Sequence, residues 1–365
     1  MRYYIVAGEA SGDLHGSNLM KELKTQDSAA EFRFFGGDKM KAVGGTLVNH
    51  YRDTAFMGFV PVILNLRTIL RNIKNCQQDV LAFNPDVLIL IDYPGFNLKI
   101  AKFAFEKGLQ VHYYISPKIW AWKESRIKQI KAYVHKMITI LPFETDFYKK
   151  HNMEVDYVGN PLFDQISIFK ETSEKIQSEK PIIALLPGSR KMELENMLPT
   201  MAKAAKLMED DYDIYIGGTS DFTQEFYESF LDGLKVNFVF EETYKLLNSS
   251  KLAMVTSGTA TLETAIFKVP QVIVYKGPPI VVALAKRFIK VDFIGLANLT
   301  VGREIVRELI QQDFTPENIQ TELKKFETTE GAAIIDKDYN ELLSMIGGEG
   351  ASKKAARIII ESISK

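Results

Sequence analysis

Asp92 closes a run of five apolar residues, Val-Leu-Ile-Leu-Ile at 87–91, and opens the turn Tyr93-Pro94-Gly95-Phe96-Asn97. A carboxylate at the end of a buried strand loses part of its water. That loss raises its pKa and makes it a better proton acceptor for a substrate hydroxyl. The competing reading is an aspartate that only caps the following helix. A second acidic turn, Gly8-Glu9-Ala10-Ser11-Gly12-Asp13, follows the first apolar run of the chain. Its glycines fall at 8, 12 and 16, so it is not the G-x-G-x-x-G dinucleotide fingerprint, and no G-K-[ST] follows to make it a P-loop. Glu9, Ser11, Gly12 and Asp13 either face a ligand or form a tight turn with Asp13 as a helix cap.

Two turns in the second half have the opposite character. Pro187-Gly188-Ser189-Arg190 brings small residues and a guanidinium to the end of an apolar run, and such a group can grip phosphate oxygens bidentately. The alternative for Arg190 is a surface ion pair. Ser257-Gly258-Thr259-Ala260-Thr261-Leu262-Glu263 places small hydroxylated residues at a predicted helix start, where backbone N–H groups favour an anion. Glu263, one turn further on, could accept from ribose hydroxyls; Thr259 and Glu263 could instead be a plain capping arrangement. The five histidines, at 15, 50, 112, 135 and 151, show neither H-E-x-x-H nor other close ligand spacing, and Cys76 is the only cysteine. Neither a structural metal nor an internal disulfide is expected.

These turns need a scaffold that presents strand ends. Apolar runs at 3–7, 32–35, 87–91, 110–114 and 136–141 alternate with helix-length segments, and the pattern restarts at 182–186, 213–216, 236–240, 252–255 and 272–275. Such alternation predicts α/β architecture with parallel sheets, in two doubly wound Rossmann-like domains facing a central cleft. The polar stretch 169–180, ended by Pro181, is the expected linker, which gives domains 1–168 and 169–350. After Gly347, Gly348 and Gly350, residues 351–365 form an amphipathic helix expected to rejoin the first domain.

At 365 residues, with 46% hydrophobic and 25% charged, the chain is long and apolar enough for two folded domains. A net charge of −1 offers no general attraction to nucleic acid. The start of the chain leaves no room for a secretory signal, so a cytoplasmic location is expected. The apolar stretches 56–73 and 278–299 are interrupted too early to span a bilayer, which takes about 20 apolar residues. Residues 56–74 mix Val60, Ile63 and Leu64 with Arg67, Arg71 and Lys74, as in an interfacial helix, although a core helix shows a similar stripe. Tyr113, Tyr114, Trp120 and Trp122 form either a greasy wall or ordinary core.

Read in order, G-E-A-S-G-D at 8–13, D-Y-P-G-F-N at 92–97, Y-I-S-P-K-I-W-A-W at 114–122, L-P-F-E at 141–144, L-L-P-G-S-R at 185–190 and S-G-T-A-T-L-E at 257–263 resemble the lipid-A-disaccharide synthase family across nearly the whole chain. The resemblance implies a GT-B-like inverting glycosyltransferase without metal or redox cofactor. Such an enzyme condenses UDP-2,3-diacylglucosamine with 2,3-diacylglucosamine 1-phosphate into the β-1',6-linked disaccharide, as a homodimer peripheral to the inner face of the inner membrane. By that resemblance Asp92 is the base and Glu9 a second catalytic acid. Gly188, Ser189, Arg190, 257–261, Glu263 and Asn298 serve the UDP-sugar. Ser11, Gly12, Asp13, Asn97, Val60, Ile63, Leu64 and Trp120 lie on the acceptor or lipid side.

The chain departs from the family pattern at three places: Gly95 where an aspartate is usual, Leu296-Ala297-Asn298 for L-P-N, and Gly159-Asn160-Pro161 for G-H-P. Other readings remain open: a different GT-B-like UDP-sugar transferase or epimerase, or a protein that binds nucleotide or lipid without turnover.

Overall fold

The computed structural model describes residues 1–53, 65–172, 174–278 and 291–363, and its strands form two wholly parallel sheets. The chain divides into two compact units, Met1–Asp164 with Gly348–Lys365, and Gln165–Gly347. The expected boundary at 168/169 falls inside a helix, Leu162–Thr172, instead of in a linker.

In the first unit the strands are β1 (Arg2–Ala7), β2 (Glu31–Gly36), β3 (Thr46–His50), β4 (Val87–Ile91), β5 (Val111–Tyr114), β6 (Lys136–Thr139) and β7 (Asp156–Tyr157), in the order β3-β2-β1-β4-β5-β6-β7. Helices lie on both faces, so the central strands carry apolar side chains on both sides. All five residues of β4 are buried. One core layer joins Tyr4, Leu88 and Leu90 to helices 66–83 and 94–106; the other joins Tyr3, Ile5 and Ile89 to Leu19, Met20 and Leu23 of helix Ala10–Gln26. The last helix, Ala351–Ile363, enters this second layer through Ala351, Ala355, Ala356 and Ile359. Its entry is fixed by Asp164, which accepts from the Ser352 amide at 3.2 Å.

The second unit repeats the plan with β8 (Ile182–Leu186), β9 (Asp213–Gly218), β10 (Asn237–Phe240), β11 (Ser250–Thr256), β12 (Gln271–Tyr275) and β13 (Glu308–Ile310), ordered β10-β9-β8-β11-β12-β13. Each sheet winds outward from its first strand in one direction, then returns and winds in the other. The reversal leaves a crevice at the carboxyl ends of β1 and β4 in the first unit, and of β8 and β11 in the second, which is where open α/β sheets bind ligands. The four turns singled out in the sequence follow these four strands.

Candidate functional site

In the first unit, β1 runs into Glu9 and β4 into Asp92, and the pairing of Ala7 with Ile91 sets the two turns side by side. Asp92 and Tyr93 have φ of +42° and +47°, a conformation unfavourable for residues with a Cβ. Three contacts hold it. The Asp92 amide donates to the Ile115 carbonyl at 3.3 Å. The Asp92 carbonyl accepts from Asn97 Nδ2 at 2.8 Å and from the Tyr113 hydroxyl at 2.5 Å. Gly8 makes room for the turn, because a Cβ there would sit 2.2 Å from the Tyr93 ring. Burial pushes the half-buried Asp92 carboxyl up to about 6, and the negative charge of Glu9 adds to the rise, while Lys118, the Tyr93 amide and Arg126 oppose it. Ser11 Oγ donates to Glu9 Oε1 at 2.6 Å and orients that carboxylate. The outcome is a pair of carboxylates beside a switch point, one with its proton affinity raised.

Several residues expected to face an acceptor instead build the frame. Asp13 is buried within helix Ala10–Gln26 and accepts from the amides of Gly37 at 2.7 Å, Lys39 at 3.0 Å and Met40 at 3.1 Å, so it caps helix Asp38–Val43 and not its own. Gly12 is buried against Ala7. Asn97 is fully buried, and its amide donates to the carbonyls of Ile91 and Asp92. It shapes the turn through these bonds, while its side-chain oxygen has no hydrogen-bond partner among the described residues. Trp120 is buried, edge-on to Phe143 at 4.9 Å, with Nε1 donating to Glu144 at 3.1 Å. The exposed aromatic of that loop is Trp122. Val60, Ile63 and Leu64 lie outside the described residues.

In the second unit, Gly188 has φ +104°, and a Cβ would fall 2.4 Å from Glu193 Oε2. Glu193, which the sequence reading passed over, accepts from the amides of Ser189 at 3.0 Å and Arg190 at 3.2 Å, and from Arg190 Nη1 at 3.0 Å. The amides of Ser189 and Arg190 are therefore taken, and the side chain of Arg190, 59% exposed, is what the turn presents. Its signal was legible: an acidic residue three positions beyond Arg190, the spacing of a capping box.

After β11, Ser257 Oγ donates to the Ile294 carbonyl at 2.8 Å, and Thr261, fully buried, donates to the Gly258 carbonyl at 2.8 Å. The amides of Gly258, Thr259 and Ala260, at the start of helix Ala260–Ile266, have no acceptor among the described residues. Glu263 is half-buried; burial raises its carboxyl, and Tyr244 OH donates to Oε1 at 3.0 Å. Asn298 is fully buried: Nδ2 donates to the Val306 carbonyl and to Glu308, both at 2.8 Å, while Oδ1 accepts from the amides of Ile305 and Val306. With both side-chain polar atoms engaged, it braces the 294–308 segment. Among the described residues no group of three His, Cys, Asp or Glu side chains is arranged to hold a metal ion.

The chain matches the lipid-A-disaccharide synthetase family over residues 3–361. It is 35% identical over 380 residues to the lipid-A-disaccharide synthase of Trichlorobacter lovleyi, covering 99% of this chain and 97% of that one. To lipid-A-disaccharide synthase 1 of Legionella pneumophila it is 38% identical over 325 residues, covering 86% and 84%. Among solved structures, the UDP-GlcNAc 2-epimerase of Neisseria meningitidis bound to UDP-GlcNAc aligns with a TM-score of 0.69 at 13% identity, covering 100% of this chain and 99% of that one. The calicheamicin glycosyltransferase aligns at 0.64 and 13%, covering 100% and 98%. At such identity the structural likenesses establish the fold, a pair of Rossmann-like domains of GT-B type, and the sequence matches establish the family: this chain belongs to the lipid-A-disaccharide synthases.

Proposed function

We propose that Asp92 is the base of a glycosyl transfer whose leaving group is received by the turns at 187–190 and 257–263. The reaction joins UDP-2,3-diacylglucosamine to 2,3-diacylglucosamine 1-phosphate and gives the β-1',6-linked lipid A disaccharide 1-phosphate and UDP. The acceptor's 6-hydroxyl oxygen attacks C1 of the donor sugar, its proton passes to an Asp92 oxygen, and the C1–O bond to diphosphate breaks with its electron pair leaving on UDP. One displacement inverts the anomeric centre. Burial, with the charge of Glu9 adding to it, holds Asp92 at a raised proton affinity, so that the carboxylate is ionised at neutral pH yet a stronger base than a free one. Arg190 and the amides of 258–260 supply fixed positive potential where the departing diphosphate gains charge. The second oxygen of Glu263 accepts from ribose.

The observation that carries this reading is the placement of Asp92 and Glu9 in adjacent turns at the ends of β4 and β1, where burial and the neighbouring charge raise the Asp92 carboxyl to about 6. Incubating the protein with both acylated substrates and reading products by mass spectrometry and anomeric NMR tests it: a β-linked disaccharide and one UDP per turnover are expected. The likeness to UDP-sugar epimerases favours one other reading, in which UDP-GlcNAc alone is converted to its epimer. Epimer without acceptor would replace the transferase assignment.

Contact with membrane lipid is the second part of the proposal. Helix Leu66–Phe83 exposes Leu66 by 50% and Leu70 by 51% beside exposed Arg67, Arg71 and Lys74, an apolar and basic edge suited to an anionic surface. Among the described residues no helix is long and apolar enough to cross a membrane. The residence proposed here is peripheral, on the inner face of the inner membrane. Vesicle flotation of the double variant Leu66→Ser, Leu70→Ser should show reduced binding; unchanged flotation of folded protein would discard this helix as the anchor. The homodimer implied by the resemblance is tested by sedimentation, where a single-chain mass would discard it.

A further inference from the structure

The loop after β5 carries exposed cations that the reaction as described does not use. Its buried residues are firmly held. Ser116 Oγ lies 2.8 Å from the Tyr148 hydroxyl, Ile119 packs in the core, and Trp120 is bonded to Glu144, whose carboxyl burial pushes up to about 7. Between and beyond these anchors, Lys118, Trp122 and Lys123 stand exposed and Arg126 half-buried. Lys123 Nζ lies 4.4 Å and the Arg126 guanidinium 5.6 Å from the Trp122 ring centroid, so the indole gathers both cations. Lys123, with φ +56°, turns the chain into a short 3-10 helix, Glu124–Arg126, that delivers the arginine. None of the three cations forms an ion pair with a carboxylate among the described residues.

This loop is bolted to the base. The Asp92 amide donates to Ile115, and Tyr113, the residue before Tyr114 at the end of β5, donates to the Asp92 carbonyl. Lys118 follows Ile115 by three residues. The charges of Lys118 and Arg126 both reach the Asp92 carboxyl.

We propose that Lys123 and Arg126, gathered at Trp122, together with Lys118 of the same loop at the carboxyl end of β5, form the seat for the phosphomonoester of the acceptor sugar. The inference rests on the assignment of Asp92 as base. An acceptor whose 6-hydroxyl meets Asp92 must place its anomeric phosphate one sugar ring away. A phosphomonoester carries about −1.5 to −2 charge at neutral pH. Brought unaccompanied toward Glu9 and Asp92, it would be repelled and would lift the base's proton affinity further. Three cations on an anchored loop offset that charge, and the planar fork of Arg126 can bind two phosphate oxygens at once.

The test compares 2,3-diacylglucosamine 1-phosphate with the same acceptor lacking its phosphate, well above the titration of Asp92, in wild type, Lys118→Ala, Arg126→Ala and Arg126→Lys. Wild type should prefer the phosphorylated acceptor. In the alanine variants the ratio of kcat/KM for the two acceptors should fall about 10- to 100-fold, and Arg126→Lys should recover part of it. Circular dichroism and thermal unfolding confirm that each variant is folded, and UDP affinity by calorimetry, assigned to the other unit, should be unchanged. Equal loss on both acceptors, or a wild type that does not distinguish them, overturns the phosphate seat. So does unchanged selectivity accompanied by weaker flotation on anionic vesicles, which would assign the cations to lipid headgroups. Failure of wild type to form disaccharide from either acceptor would instead remove the base assignment itself.

Discussion

The two units share a strand order and differ in what stands at its reversal. In the first, the turns after β1 and β4 carry Glu9 and Asp92, and the carboxyl of Asp92 is pushed to about 6. In the second, the turns after β8 and β11 carry an exposed arginine and a run of small residues whose amides have no acceptor among the described residues. In the proposed reaction the same winding supplies a proton acceptor from one unit and an anion receptor from the other. Topology decides where a ligand can sit, and a few turn residues decide what chemistry it meets.

Removing the proton acceptor should have the largest effect. Asp92→Asn keeps the shape of the turn and should lower the rate about 100- to 10,000-fold, measured as disaccharide formed per unit time; turnover near wild type would end its role as base. The same variant should be more stable than wild type at neutral pH. The folded-state pKa, about 6, lies above the ordinary value of 3.8, so the folded chain holds this proton more tightly than the unfolded one. The stability Asp92 removes grows between those two values and is constant above them. A raised Tm with a collapsed rate separates lost chemistry from lost fold.

The anion receptor is probed by Arg190→Ala, expected to lower kcat/KM for the UDP donor about 10- to 100-fold and to weaken UDP binding in calorimetry. Because Glu193 keeps its bonds to the Ser189 and Arg190 amides, the turn itself should survive. Undiminished UDP affinity would move the diphosphate away from this turn and leave the contrast between the units without its second half.

Much of this contrast could be read from the chain before its structure was known. β4 announces itself as Val-Leu-Ile-Leu-Ile because a strand covered on both faces has no polar position. The edge strands β3, β7 and β13 escaped notice since a short, partly exposed strand such as Asp156–Tyr157 bears no apolar run. Among the candidate site residues, those bearing charge were legible from their place after a strand. The hydrogen bonds that Asn97, Asn298 and Asp13 make within the protein were not, because an asparagine bonded to backbone and one offered to a ligand look alike in sequence. The partners of Asp13, for instance, lie from Gly37 to Met40. Only folding brings such pairs together.

A smaller change sharpens the acidic half. Glu9→Gln removes a like charge from beside Asp92, which makes the carboxylate easier to ionise. The midpoint of the kcat/KM profile, expected near pH 6 with activity lost on the acid side, should move down. It should not reach 3.8, because burial, the larger cause of the shift, stays in place. A midpoint that does not move would detach Glu9 from the base.

The smallest effect is expected from restoring the carboxylate that the family pattern carries at position 95. Gly95 is exposed at the second position of helix Pro94–Glu106, and a Cβ there meets nothing within 4 Å. Gly95→Asp thus adds a side chain without steric cost. It also replaces a poor helix residue and puts negative charge at the positive end of the helix dipole, together worth about 0.5–1 kcal/mol. A rise in Tm of a few degrees or less is the expected readout of thermal unfolding. The added charge also stands near Asp92 and should nudge the pH–rate midpoint upward, opposite in sign to Glu9→Gln. A destabilised protein would show that the glycine serves the backbone of the turn, and a midpoint moving downward would show that charge at this position is not felt by the base.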